Sequence, residues 1–394
     1  MRSYLERAKE LEPQLQADRR YLHQNPELAD DLPVTSAYVA GRLKELDIPY
    51  RRCGKCGLLA RLGREEGPTI LLRADMDALP MGEDSGLDFA SPYPDKAHTC
   101  GHDTHVAMLL CAARMLKENE KDLPGRVVLM FQYGEEVGIG AREMIADGAL
   151  EGVDAALALH IDATMPLNYL TAGRGPAFAS NDSFDVQITG KGGHAARPAD
   201  AIDPIHILAH LELAFQSLIS REATPTQTNV ISVTSVDAGG EHNYNIIPDT
   251  ARMRGTLRTY DEGQRSLLKE RMAQVVEGIA RAYRGEAKLT FRDAGLEALR
   301  CDPALYEKVR RYADELFGEG YVKEPFIKVG SEDFACVAQR VPAGYFFLGA
   351  GPDEETVWPY GQHNPKVRHN ETVFYRGAAV MAHCATRWLE EMGR

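Results

Sequence analysis

The sequence predicts an α/β protein, in which a mostly parallel mixed sheet is flanked by helices and a smaller α+β domain is inserted. At 394 residues the chain is too long for one ordinary core. Helical patterns alternate with short apolar runs in its first half and again near its end, which is typical of a parallel sheet covered on both faces. The middle changes to the order βαββαβ, the ferredoxin-like order. The predicted catalytic domain therefore comprises residues 1–180 and 294–394, and the inserted domain residues 181–293.

The first half of the catalytic domain combines amphipathic helices with apolar runs typical of buried strands. The predicted helices are Tyr4–Gln24, Val34–Glu45 and Thr104–Lys117, and the predicted strands are Leu58–Leu62, Thr69–Arg73, Arg126–Phe131 and Ala155–Leu159. The same rhythm resumes from Pro303, and Tyr345–Leu348 is predicted as a further buried strand.

Six elements are predicted for the inserted domain. In chain order they are strand Ser183–Ile188, helix Asp203–Ile219, strands Asn229–Val236 and Thr250–Thr259, helix Glu262–Tyr283 and strand Lys288–Arg292. A small sheet of this kind presents exposed edge strands, which favour pairing with a second chain.

The composition excludes several classes of protein. With 44% apolar and 26% charged residues, the chain has the profile of a soluble globular protein, and a net charge of −13 argues against nucleic acid as a partner. Residues 1–20 are charged throughout, and no apolar run is long enough to span a bilayer, so we expect a cytoplasmic protein without a membrane partner. Seven cysteines without a framework spacing indicate reduced thiols.

Chemically active side chains recur where the predicted strands end, which is where ligands bind in α/β sheets. These segments are Asp75–Asp77, His98–Asp103, Gly134–Glu136, His160 and Gln362–Pro365. Their carboxylates, imidazoles and single thiol are the ligand set of a transition metal of borderline softness. A buried strand that finishes in two adjacent carboxylates also needs a neutralising cation, because unpaired buried charges are costly.

Four segments carry a resemblance to a known family. His98–Asp103, Gly134–Glu136, Gly190–Pro198 and Gly330–Phe334 resemble the M20 metallopeptidase clan. Within that clan they are most similar to hippurate hydrolases, auxin-conjugate amidohydrolases and bacterial N-acyl-amino-acid amidohydrolases. The resemblance extends over nearly the whole chain and keeps the same order.

The resemblance implies two divalent metal ions per subunit, Mn or Zn, with Co or Ni as alternatives. The ligands it implies are Cys100, His102, Glu136, His160 and His363. Cys100 takes the place of a bridging carboxylate, and its softer thiolate favours transition metals over Mg or Ca. Asp75 stands where many relatives carry a ligand histidine.

The resemblance also implies further roles. Glu135 is expected to act as general base, and Asp77 to orient a ligand side chain. Asp77 could instead cap a turn before Pro80. His194 is expected to donate a hydrogen bond to the developing oxyanion in a partner subunit, although it could be an ordinary loop histidine.

Other residues receive weaker assignments. Asn245 and Arg258 are candidates for binding the substrate, because an arginine fork suits a free carboxylate. Asp103 is interpreted as support for the ligand loop or as a helix cap. His23 is interpreted as structural, and His105 receives no role.

The predicted function is metal-dependent hydrolysis of the amide bond of a small N-acyl amino acid by a homodimer that pairs through the inserted domain. The first alternative is a dipeptidase or aminopeptidase of the same clan, although Cys100 favours the acyl-amino-acid branch. A second is a non-catalytic metal-binding protein, which Glu135 argues against. A third is a thiol enzyme using Cys100, which would need a free thiolate and a nearby base.

Overall fold

The computed structural model describes residues 3–240, 244–292, 295–351 and 360–393. The chain divides into two compact units. The first comprises Met1–Gly175, Arg300–Ile327 and Asp333–Arg394, and the second comprises Pro176–Leu299 and Lys328–Glu332. The second unit thus starts five residues before the predicted insertion; the predicted junction at residues 293 and 294 lies outside the described residues.

The described residues form ten α-helices and sixteen strands. The helices are α1 (Tyr4–Glu10), α2 (Glu12–Gln24), α3 (Pro33–Glu45), α4 (His102–Glu118), α5 (Gly140–Ala146), α6 (Pro204–Arg221), α7 (Glu262–Ala282), α8 (Pro303–Phe317), α9 (Ala335–Ala338) and α10 (Phe374–Met392). The strands are β1 (Tyr50–Cys53), β2 (Gly57–Gly63), β3 (Thr69–Asp75), β4 (Arg126–Gln132), β5 (Ala155–Asp162), β6 (Leu170–Ala172), β7 (Gly175–Phe178), β8 (Asp182–Thr189), β9 (Gly193–His194), β10 (Asn229–Ala238), β11 (Ile246–Ile247), β12 (Thr250–Thr259), β13 (Glu286–Phe291), β14 (Leu299–Cys301), β15 (Val322–Lys323) and β16 (Ala343–Gly349).

The first unit is built on an eight-stranded mixed sheet in the order β1-β2-β4-β3-β5-β16-β6-β15. Its four central strands, β4, β3, β5 and β16, run parallel. Every residue of β3, β5 and β16 is buried, as expected of strands covered on both faces. Helices α4 and α10 pack on β3 and β5, and α5 packs on β4. The predicted α/β class, with a mostly parallel sheet flanked by helices, is confirmed.

The N-terminal helix differs from the prediction. Instead of one helix over Tyr4–Gln24, α1 and α2 are separated at Leu11. Pro13 lies in the first turn of α2, where its missing N–H costs nothing, whereas inside a continuous helix it would remove a hydrogen bond and clash with the preceding turn. The proline therefore starts a second helix.

The second unit contains a four-stranded antiparallel sheet in the order β10-β12-β8-β13. Helices α6 and α7 pack on it, so its main elements follow in the order βαββαβ. Residues of β8 alternate strictly: Phe184, Val186 and Ile188 are buried in the core, whereas Ser183 and Gln187 are exposed. Among the described residues of the chain, no helix is long and apolar enough to cross a membrane.

Candidate metal centre

Three neighbouring parallel strands of the first unit end at one edge of its sheet. β3 ends at Asp75, β4 ends at Gln132 and leads to Glu135 and Glu136, and β5 carries His160 near its end. Because β4, β3 and β5 are adjacent and parallel, their carboxyl ends bring these side chains to the same edge. The edge therefore concentrates carboxylate and imidazole groups.

Cys100 and His102 reach this edge from the start of α4. Gly101 between them has φ 103°, and a Cβ at this position would lie 2.9 Å from Ile161 Cδ1. The left-handed backbone conformation therefore favours glycine here, and any side chain would also displace Ile161. This turn holds the thiol of Cys100 3.4 Å from His160 Nε2.

His102 and His160 are both buried, and each is held through the same ring nitrogen, Nδ1, by a backbone oxygen. His102 Nδ1 is 2.8 Å from the backbone oxygen of Asp77, and His160 Nδ1 is 2.5 Å from that of Ile161. Carbonyl oxygens only accept, so each Nδ1 carries a proton, and in the neutral ring Nε2 is the nitrogen that has the lone pair. Backbone bonds of this kind commonly orient metal-ligating histidines.

The donor atoms form two groups that share one thiol. Ligand atoms of Cys100, His102 and His160 lie within 4.8 Å of one another, and so do those of Cys100, Glu136 and His363. His363 Nε2 is 3.4 Å from Glu136 Oε1, on a backbone with φ 62°. The sequence-predicted ligands are thus brought together, with Cys100 common to both groups.

The residues fit divalent cations. Among the described residues, the buried atoms His102 Nε2 and Glu136 Oε1 have no hydrogen-bond partner, although unpaired buried polar atoms are costly. Burial raises the pKa of the Cys100 thiol well above its usual value and lowers that of His160 well below it. A cation would stabilise the Cys100 thiolate and so offset its raised pKa. The lowered pKa of His160 keeps that imidazole neutral and able to bind a metal.

Asp77 organises the loop that carries both glutamates. Its Oδ1 accepts a hydrogen bond from the backbone N–H of Glu135 and its Oδ2 accepts one from Glu136, both at 3.1 Å. Its own backbone oxygen holds His102. Asp77 thereby links the glutamate loop to α4, which is more than the cap of a local turn requires.

Sequence reasoning missed two residues beneath the centre, Arg73 and His105. Asp75 is buried between them: Arg73 Nη1 donates to its Oδ2 at 2.6 Å, and His105 Nδ1 lies 2.6 Å from its Oδ1. Arg73 was recognisable as a charged residue in an otherwise apolar strand, and His105 follows His102 at the i, i+3 spacing that puts both on one helix face.

A second buried network supports the first turn of α4. Asp103 Oδ2 lies 2.8 Å from both Arg19 Nε and His23 Nδ1. Burial alone would raise the pKa of Asp103, but the positive charges of Arg19 and His23 hold it well below its usual value. His23 Nε2 also contacts Glu83 at 3.1 Å. This geometry agrees with a supporting role for Asp103 and a structural role for His23.

His194 lies in the second unit, in β9, which pairs with β11. It is exposed, and its Nδ1 accepts a hydrogen bond from the backbone N–H of Ala196 at 3.1 Å. The neutral ring therefore carries its proton on Nε2.

The two candidate substrate-binding residues also lie in the second unit. The backbone oxygen of Asn245 accepts from Ala195 N–H at 2.9 Å, and Asn245 is exposed. Arg258 is half-buried on β12, with Nη1 3.4 Å from the Ser180 oxygen.

The mostly parallel sheet, and the thiol, imidazoles and carboxylates gathered at its carboxyl edge, indicate a metal-dependent α/β protein. The chain belongs to peptidase family M20/M25/M40, whose profile matches residues 71–387. This finding confirms the resemblance seen in the four sequence segments.

Named relatives agree with the family. The chain is 37% identical over 382 residues to an N-acetyl-L-cysteine deacetylase of Bacillus subtilis, covering 96% of this chain and 89% of that protein. It is 36% identical to an IAA-amino acid hydrolase of Arabidopsis thaliana, covering 95% and 85%. A Bacillus subtilis structure described as a dinuclear metal binding peptidase of the M20 family superposes with a TM-score of 0.83 at 31% identity, covering 97% and 99%.

Proposed function

We propose that this protein hydrolyses the amide bond of N-acyl amino acids, releasing a free amino acid and a carboxylic acid, with two divalent metal ions. The observation that carries the proposal is the pair of donor groups sharing Cys100, with Glu135 beside them. The names of the two sequence relatives support it, since one is a deacetylase of an N-acetyl amino acid and the other an IAA-amino acid hydrolase.

The proposed ligands are Cys100, His102, Glu136, His160 and His363. The thiol and imidazoles favour transition metals over Mg or Ca, and the proposed ions are Mn or Zn, with Co or Ni as alternatives. When bound, such ions polarise a carbonyl oxygen and lower the pKa of water.

Glu135 is the proposed general base. Its Oε2 lies 4.0 Å from His102 Nε2, and its side chain is only 11% exposed, so it faces the donor groups from a site largely shielded from solvent. Its carboxylate takes a proton from the attacking water and passes it to the leaving nitrogen, which must be protonated before the amine departs.

His194 is the proposed oxyanion donor, acting in the site of a partner subunit. Its neutral ring carries the proton on Nε2 because Nδ1 accepts the Ala196 N–H, and the residue is exposed. Such a donor stabilises the negative charge that develops on the carbonyl oxygen. Arg258 and Asn245 are proposed to bind the free carboxylate of the amino acid.

The proposed assembly is a homodimer through the second unit. β10 has one neighbour, β12, among the described strands, which leaves an edge for pairing with another chain. The proposed compartment is the cytoplasm, supported by the seven cysteines, which lie within the described residues, are all buried and form no disulfide.

A substrate panel tests the proposal. Protein reloaded with Mn²⁺ or Zn²⁺ is given N-acetyl, N-benzoyl and long-chain N-acyl amino acids beside unblocked dipeptides, and free amino acid is measured. Cleavage of one or more acylated classes is expected. Cleavage of dipeptides alone would instead support the dipeptidase alternative.

A further inference from the structure

His105 is held by two hydrogen bonds that fix its tautomer. Its Nε2 accepts the backbone N–H of Ile161 at 3.0 Å, so its ring proton is on Nδ1, which donates to Asp75 at 2.6 Å. The ring is buried. An imidazole with a donor bond on one side and an acceptor bond on the other cannot turn over without losing both.

These bonds join the elements that carry two proposed ligands. His105 lies one helical turn after His102 on α4, and Ile161 follows His160 on β5. The ring of His105 also packs edge-on against the ring of His160, with centroids 4.4 Å apart. A single side chain therefore contacts the end of β5 and stands on the same helix face as His102.

Asp75 gives this connection a rigid base. Arg73 Nη1 donates to its second oxygen, while Arg73 Nε donates to Gln132 at 2.9 Å and Arg73 Nη2 to Asp333 at 3.0 Å. The backbone N–H of Ala141 donates to Asp333 as well, at 3.1 Å. The network thus continues from β3 into β4 and the start of α5.

We propose that His105 is a positioning residue that fixes His102 and His160 relative to each other by fastening α4 to β3 and β5. This inference rests on the proposed function, since it assumes that both histidines are ligands. Its physical basis is that satisfied buried hydrogen bonds specify a single arrangement, whereas an apolar residue of similar size would fill the same volume without fixing it.

The tautomer is tested first, in metal-free protein labelled with ¹⁵N-histidine. Long-range ¹H–¹⁵N spectra should show a neutral ring protonated on Nδ1 that disappears in His105→Gln. A ring protonated on Nε2 would contradict the proposal. The tautomer is read from the unaltered protein, and His105→Gln serves only to assign the signal to this ring.

Cobalt binding tests the positioning role. His105→Leu should weaken the binding of at least one Co²⁺ by about 10-fold to 100-fold and change its visible absorption, as expected for loss of an outer contact. His105→Gln, which retains a donor and an acceptor, should recover part of both. The control is His383→Gln, which removes an imidazole that pairs with Glu315 instead of Asp75.

Unchanged cobalt affinity and absorption in His105→Leu would overturn the positioning role. Neither readout requires turnover. If the wild-type protein binds cobalt but hydrolyses no amide, while His105→Leu binds cobalt more weakly, the proposed function is contradicted and the positioning role is still supported. A wild-type protein that takes up no Co²⁺ would overturn both.

Discussion

Asp77 contacts the backbone of two adjacent glutamates and holds both beside the donor groups. Glu136 Oε1 lies 3.4 Å from His363 Nε2 and 3.9 Å from His102 Nε2, and Glu135 Oε2 lies 4.0 Å from His102 Nε2. With the loop fixed, the proposed roles are metal ligation for Glu136 and proton transfer for Glu135.

The division of roles predicts that Glu135→Gln lowers kcat by about 10²-fold to 10⁴-fold, because an amide cannot take up the proton. Metal content should stay at the wild-type level, since Glu136 is unchanged. Steady-state rates and elemental analysis measure the two effects. Glu66→Gln, at an exposed position, is the control. A near-normal rate in Glu135→Gln would remove the residue from the mechanism.

Asp77→Asn tests the loop anchor. An asparagine side chain has one acceptor oxygen, so its NH₂ group would face one of the two backbone N–H groups that Asp77 now accepts. We expect kcat to fall by about 10-fold to 100-fold, as for loss of an outer contact. Asp84→Asn, whose side chain is 73% exposed, should leave kcat unchanged. Equal rates in the two variants would show that the anchor is dispensable.

At the scale of elements, patterns of hydrophobicity predicted most of the secondary structure. The runs chosen as strands are all strands, and β12 has the predicted bounds, Thr250–Thr259. The segments that hold the proposed ligands stood out because most of them follow predicted strands, and the ligand roles themselves came from the resemblance to the family. The break between α1 and α2 was missed, since the helical pattern continues across Leu11 and Pro13.

Contacts between distant segments could not be predicted from one sequence. Arg73 and Asp333 are separated by 260 positions, and nothing in either local pattern specifies that they pair. His105 has a recognisable spacing from His102, but its acceptor role depends on Ile161 of another element. The sequence and its family resemblance therefore suggest the proposed ligands, but they do not indicate the distant contacts around those ligands.

The contact between α2 and the loop after β3 predicts an acid-sensitive contribution to stability. Burial alone would raise the pKa of Glu83. Hydrogen bonds and the positive charge of His23 outweigh burial and lower the pKa from 4.5 to about 2. A carboxyl group with a depressed folded-state pKa stabilises the fold above its unfolded pKa, and that stabilisation is lost as pH falls through the folded pKa. The loss should occur between about pH 5 and pH 2.

Glu83→Gln removes this titration. In metal-stripped protein at pH 7, the wild type should unfold at a higher temperature than Glu83→Gln, and the difference should shrink as the pH falls toward 2. The difference in unfolding temperature is measured by thermal unfolding monitored with circular dichroism. A difference independent of pH would show that the Glu83 carboxylate is not the source.

At the scale of the whole molecule, the proposed dimer predicts complementation between inactive variants. If His194 acts in the partner's site, a hybrid dimer of one Glu135→Gln subunit and one His194→Ala subunit retains one intact site. Random mixing of subunits should then restore about a quarter of wild-type activity, because half of the dimers are hybrids with one working site. Co-expression with two affinity tags isolates the hybrids. Activity no higher than that of either parent would indicate that His194 does not act in trans.

The dependence of amide hydrolysis on metal tests the central claim most directly. Release of free amino acid is measured with metal-stripped protein before and after addition of two equivalents of Mn²⁺ or Zn²⁺, on the best N-acyl amino acid of the panel. We predict negligible release without metal, recovery on addition, and no recovery in Glu135→Gln. Equal release before and after metal addition, from protein verified to be metal-free, would contradict the account.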